Sequence, residues 1–121
     1  MTREKPHKKL DLWKKAIEFV VVIYEITKSF PKEEEFGLKS QLRRAAVSIP
    51  SNISEGLTRR TRKDKLHFLN IAQASLSEID AQLDISEKLA YLSTDLAEGT
   101  GQLQADVEKL LSGLIRSISK Y

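Results

Sequence analysis

The stretch Leu38-Lys-Ser-Gln-Leu-Arg-Arg-Ala-Ala-Val-Ser-Ile-Pro-Ser-Asn-Ile-Ser-Glu-Gly56 decides the fold class. Its apolar residues Leu38, Leu42, Ala45, Ala46, Ile49 and Ile53 recur at steps of three and four, the period of one helical face. Pro50 lies inside the pattern, where it removes the hydrogen bond to the carbonyl of Ala46 and should bend the helix. Because the stripe resumes on the same face at Ile53, the helix is expected to continue through the proline and to end at Gly56. Upstream, Glu33-Glu34-Glu35 brings three negative charges to the positive end of a helix dipole, which predicts a start near Glu33.

The same period governs the rest of the chain, and no run alternates as a half-buried strand would. A first helix is expected from Asp11, as N-cap, to about Ser29, ended by Phe30-Pro31 because the residue before a proline is pushed out of the α region. It carries Trp13, Ile17, Val20 and Tyr24 beside Leu12, Ala16, Phe19, Ile23 and Ile26, more apolar surface than one buried stripe requires. The surplus area of Trp13, Phe19, Val21 and Tyr24 predicts cover by a second copy, hence a homo-oligomer. A third helix is expected after the capping pair Thr61 and Asp64, with Leu66, Leu69, Ala72, Leu76, Ile79, Leu83 and Leu89 on one face as far as about Leu92. Ala72, Ala74 and Ser75 leave room for close helix approach. Following a turn at Ser93-Thr94-Asp95, a fourth helix carries Leu96, Leu103, Val107, Leu110, Leu111, Leu114, Ile115 and Ile118, weakened early by Gly99 and Gly101. Short connections between four helices predict an all-α, antiparallel up-down-up-down bundle over residues 11–121, preceded by a tail of residues 1–10.

Composition sets limits on function. The 121 residues are 31% charged and 40% hydrophobic, with five Gly and three Pro, as in a single soluble globular domain. The absence of cysteine excludes disulfides, thiolate metal sites and a cysteine nucleophile, and fits a cytoplasmic location. The longest apolar run, Phe19 to Tyr24, is far shorter than the roughly twenty residues that cross a bilayer, so no membrane association is expected. A charged N-terminus leading into Leu10-Asp-Leu-Trp-Lys-Lys does not read as a secretory signal.

Charge is unevenly spread along the chain. Residues 1–38 carry eight basic and seven acidic groups, residues 39–65 eight and two, and residues 66–121 four and eight. A polyanionic partner is therefore expected at residues 39–65. Within them Lys39, Arg43 and Arg44 precede the cluster Arg59, Arg60, Arg62, Lys63 and Lys65, which reads either as a solubilising surface or as a phosphate-binding site. The cluster holds no aromatic residue, so any nucleic-acid contact there is expected to be with the backbone and not with bases.

Signatures of catalysis are lacking. There is no phosphate-binding glycine loop, no nucleophile elbow and no zinc-protease motif. Glu4-x-x-His7 and Asp64-x-x-His67 have carboxylate and histidine at helical spacing, but one pair straddles Pro6 and the other opens a helix, and di-iron bundles need two further carboxylates. No metal or other cofactor is expected, with His67 on a helix surface and His7 in solvent. Ser48, Ser51 and Ser54 have no histidine near them in sequence and are expected to pack or to bond back to helix carbonyls. Arg44, Ser48, Asn52 and Glu55 fall within about 80° of one another at 100° per residue, a polar row distinct from the leucine stripe. Such a row is a wet surface, a hydrogen-bonded contact or a ligand site.

Taken together, Leu10-Asp-Leu-Trp13, Tyr24-x-x-Thr27-x-x-Phe30-Pro31, Phe36-Gly-Leu38, the stretch from Gln41 to Gly56 and Phe68-Leu-Asn-Ile-Ala72-x-x-Ser75-Leu-x-Glu78 resemble the bacterial 23S rRNA intervening-sequence proteins. That family is similar to the accessory variability protein partnering the reverse transcriptase of diversity-generating retroelements. The resemblance implies an antiparallel bundle, a homopentamer with a basic surface, and motif positions at Arg44, Asn52, Glu55 and Gly56 without a catalytic role. The expected function is therefore non-enzymatic: an oligomeric bundle that binds structured RNA or DNA, or a reverse-transcriptase-like partner, through residues 39–65. The alternative is a protein-binding scaffold without nucleic-acid contact.

Overall fold

A computed structural model describes residues 5–120. Four helices, α1 (Asp11–Thr27), α2 (Leu38–Leu57), α3 (Arg62–Lys88) and α4 (Thr94–Ser119), form an antiparallel up-down-up-down bundle, preceded by a 3-10 turn at Pro6–Lys9 and with another at Lys32–Glu34. The part of the expected tail at residues 1–4, which includes Glu4, lies outside the described residues. Each helix packs on its sequence neighbours, and α1 closes the ring against α4. The first end of the bundle therefore gathers the start of α1, the α2–α3 connection and the end of α4. The second end gathers the α1–α2 and α3–α4 connections.

The helix starts show local chemistry at work. Thr61 Oγ1 accepts the Asp64 amide at 3.1 Å and Ser93 Oγ accepts the Leu96 amide at 3.2 Å, both as N-cap side chains. Two expected starts move. The N-cap of α1 is Leu10, with Asp11 already helical. α2 begins at Leu38 and not near Glu33, because Lys32–Glu34 takes the tighter 3-10 form and Gly37 interrupts the pattern. Glu34 still serves the helix: its Oε1 accepts the Leu38 amide at 2.9 Å, satisfying one of the otherwise unbonded first-turn donors.

α2 runs unbroken through Pro50, as the continuity of its stripe requires. Leu42, Ala45, Ala46, Ile49 and Ile53 are all buried. Gly56, expected to end the helix, instead lies in its last turn for a packing reason. A Cβ there would come within 3.1 Å of the Lys65 carbonyl oxygen and 3.2 Å of the Phe68 Cβ, so glycine permits the α2–α3 approach. α1 sorts its two apolar rows differently. Leu12, Ala16, Phe19, Ile23 and Ile26 are in the core, and Phe19, expected among the surplus, is fully buried in its own bundle. Ile17, Val21 and Tyr24 remain exposed. α3 ends before Leu89, which is 51% exposed, because Ala90 takes a left-handed φ of 63° and reverses the chain.

Candidate nucleic-acid interface

Residues 39–65 do not form one patch. Lys39 and Arg59 stand near opposite ends of α2, a 20-residue helix about 30 Å long at 1.5 Å per residue. Lys39 lies beside the acidic second end, pairing with Glu35 at 3.1 Å with its side chain only 16% exposed. Arg43 turns inward to α1: its Nε donates to Thr27 Oγ1 at 2.9 Å, its Nη2 donates to the Tyr24 carbonyl at 3.1 Å, and its guanidinium lies 4.4 Å from the Tyr24 ring centroid. Arg43 thus ties α2 to α1, and Lys39 is engaged by a carboxylate four residues upstream.

The polar row splits along the α2–α3 seam. Ser48 Oγ donates to the Ala45 carbonyl at 2.9 Å and shares a short hydrogen bond with Ser75 Oγ of α3, in which either oxygen can be the donor. Asn52 Nδ2 donates to the Ser48 carbonyl at 2.7 Å. Arg44, at one end of the row, faces solvent at a groove of about 420 Å³ shared with Gln41, Ser75 and Glu78. Glu55, at the other end, is half-exposed and pairs with Arg59. Of the inner members, Ser48 bonds across to α3 and back to a carbonyl as serine in helices commonly does, while Asn52 bonds within α2.

The first end of the bundle is where basic groups gather. Arg59, Arg60, Arg62 and Lys63 are exposed on the α2–α3 connection and the first turn of α3. Among the described residues, Arg59 alone of these has a carboxylate partner, and its guanidinium also lies 4.7 Å from the Phe68 ring centroid. Lys65 is half-buried and its Nζ donates to the Leu57 carbonyl at 3.5 Å. The Pro6–Lys9 turn sits against the same end, where Lys5, Pro6, His7 and Leu10 line a shallow groove with Leu57 and Thr58. His7 is half-buried, its ring 4.8 Å edge-on to Trp13, and not in open solvent as expected. His67 is exposed on α3, its ring edge-on to Phe68.

Chain topology therefore adds cations that sequence proximity did not join. Segments 5–15, 55–65 and 109–120 all lie toward the first end, and together they carry thirteen basic and three acidic residues. The remainder of the chain carries seven basic and fourteen acidic residues. A bundle polarised in this way presents a positive end to a polyanion and a negative end that repels it. Lys5, Lys8, Lys15, Lys109 and Arg116 were missed because they are distant in sequence. The available signal was the up-down connectivity, which brings residues near 10, 60 and 120 to one end.

Among the described residues, no three of His, Asp and Glu gather as a metal site, and no helix is long and apolar enough to cross a membrane.

The family model of the 23S rRNA-intervening sequence proteins matches residues 8–113. The fold is similar to the crystal structure of a protein of unknown function from the S23 ribosomal protein family of Bacteroides thetaiotaomicron. The TM-score is 0.79 at 25% identity, over 87% of this chain and 95% of that one. No protein of curated function matches the sequence.

Proposed function

The chain belongs to the 23S rRNA-intervening sequence protein family, and from that premise we propose that it is a non-enzymatic, self-associating bundle that binds RNA backbone through its first end. The observation that carries the proposal is the set of exposed cations Arg60, Arg62 and Lys63 beside the Pro6–Lys9 turn, none with a carboxylate partner among the described residues. Unneutralised like charges held together repel one another, and phosphate oxygens with their released counterions relieve that repulsion. Arg59, stacked on Phe68, presents its guanidinium from a fixed position. Lys39 and Arg43, occupied elsewhere, are not part of the interface.

Self-association rests on the α1–α2 face. There an apolar groove of about 540 Å³ is lined by Trp13, Ile17, Val20, Val21, Val47 and Pro50, and Val21 is 54% exposed. A contiguous apolar groove without charged lining is what a second copy would cover. Five copies are what the family resemblance implies. The expected solution mass is a multiple of 13.7 kDa, and Val21→Glu should reduce it to that of one chain.

The test of RNA binding is titration of a structured RNA at several salt concentrations. Arg60→Gln, Arg62→Gln and Lys63→Gln combined should weaken binding and flatten the slope of log affinity against log salt by about 0.7 to 0.9 per lost contact. The apolar groove favours a second reading, a scaffold for another protein. Its binding would depend little on salt and would be lost with Val21→Glu.

A further inference from the structure

A second basic feature opens toward the same end of the bundle. Between α1 and α4, a groove of about 440 Å³ is lined by Lys15, Asp106, Lys109, Leu110, Gly113 and Arg116. Gly113 leaves its floor open: a Cβ there would meet only an Arg116 guanidinium nitrogen, at 3.9 Å. Among the described residues, Lys15, Lys109 and Arg116 form no ion pair. The one carboxylate in the groove, Asp106, accepts from Gln102 Nε2 at 3.4 Å. Three cations and one acid leave the groove with a positive excess.

We propose that this groove is a second row of phosphate contacts and that the ligand is a duplex segment of RNA, one backbone lying on the α2–α3 connection and the other on the α1–α4 groove. The inference rests on the RNA-binding reading above and specifies its ligand. Two observations carry it. The first is placement: α1 and α4 form the edge of the ring opposite α2 and α3, so two rows of cations flank one end of the bundle. Adjacent helix axes lie about 8–10 Å apart, which keeps both rows close enough for one duplex to lie across them.

The second observation concerns the aromatic rings. Proteins that grip single strands stack splayed bases on aromatic faces. At this end the Phe68 ring is covered by the Arg59 guanidinium, and the half-buried Trp13 packs against His7. The most exposed aromatic among the described residues, Phe36 at 95%, lies at the opposite end beside Glu35. Among the described residues the exposed ring at this end is His67, edge-on to Phe68, and cations on two edges suit a paired helix, whose two backbones are both presented.

The experiment compares the full chain with two variants, Lys15→Gln/Lys109→Gln/Arg116→Gln in the groove and Arg60→Gln/Arg62→Gln/Lys63→Gln on the connection. Each is titrated against an RNA duplex of about 16 base pairs and against one of its strands alone. The groove variant should lose about tenfold or more in duplex affinity at moderate salt, with a shallower salt slope, while its affinity for the single strand stays at the wild-type level. Lys15→Arg/Lys109→Arg/Arg116→Lys should retain duplex binding, and far-ultraviolet circular dichroism should show all the variants equally helical. If the groove variant binds duplex as the wild type does while the connection variant loses it, the second row is refuted and the RNA-binding reading stands. Equal losses of duplex and single strand in the groove variant also refute it, because the groove then supplies charge without reading a second backbone. A wild type that binds neither RNA overturns both.

Discussion

Arg43 Nε donates to Thr27 Oγ1 at 2.9 Å, and Thr27 Oγ1 in turn donates to the Ile23 carbonyl at 2.7 Å. The α1 sequence has no basic residue in its last turn, so Arg43, sixteen residues downstream, brings the positive charge that complements the negative end of that helix. Removing one partner leaves the other short of a bond at a partly buried position. Arg43→Ala is expected to cost about 1–3 kcal/mol in urea denaturation. RNA affinity per folded molecule should remain unchanged, in contrast to the variants at Arg60, Arg62 and Lys63.

Glycine and alanine sit in exchanged places near the α3–α4 turn. Ala90 has φ 63°, and the amides of Tyr91 and Ala90 bond to the Ser86 and Glu87 carbonyls at 2.9 Å each, the pattern of a Schellman cap in which glycine is usual. Gly99, exposed within α4, has nothing within 4 Å of a Cβ position. Ala90→Gly should therefore stabilise by relieving left-handed strain, and Gly99→Ala by reducing the entropy of the unfolded chain, each by about 0.5–1 kcal/mol. Thermal unfolding should show both increments, and they should add in the double variant, since each acts on its own local backbone conformation.

Gly56 answers to the opposite logic. Its missing Cβ is what lets the end of α2 approach the backbone of Lys65 and the side chains of Phe68 and Leu69. Gly56→Ala raises helix propensity yet pushes α3 away, with an expected net loss of about 1–3 kcal/mol. Because Arg59 and Phe68 stack beside this contact, the same variant should also weaken RNA binding. Denaturation and titration on one preparation would report both effects.

Tyr91 and Glu34 join the two connections at the second end of the bundle. The Tyr91 hydroxyl donates to Glu34 Oε2 at 3.0 Å, and that hydrogen bond, followed by desolvation and the nearby negative charges of Glu34 and Glu33, raises the phenol above its ordinary value of 10.0. A raised folded-state value favours the protonated phenol. Its contribution to stability is thus fully present below pH 10 and lost as pH climbs through the raised value. Tyrosinate absorbance should show a component titrating above 10.0, absent in Tyr91→Phe and moved downward in Glu34→Gln.

The four helices and their core faces were legible because each is written in a local period. Leu42, Ala45, Ala46, Ile49 and Ile53 lie on one side of a helix whatever that helix meets. Boundaries were less legible where a side chain acts at a distance. Glu34 caps Leu38 across a 3-10 turn, and Ala90 reverses the chain without the glycine that signals such a turn. The dual apolar face of α1 was visible, but only the packing of α2 and α4 against it shows that Phe19 belongs inside and Val21 outside.

The candidate site divides in the same way. Sequence alone determined the helical class, the absence of thiol chemistry and the excess of basic residues at 39–65, since composition and period need no knowledge of neighbours. Tertiary structure decided which of those charges act together. A helix of 20 residues carried Lys39 and Arg43 away from Arg60 and Arg62, while antiparallel packing brought Lys5, Lys15 and Arg116 toward them. The physical reason is range: periodicity is set by backbone geometry over a few residues, whereas an electrostatic surface sums charges by distance through space, and only the fold fixes those distances.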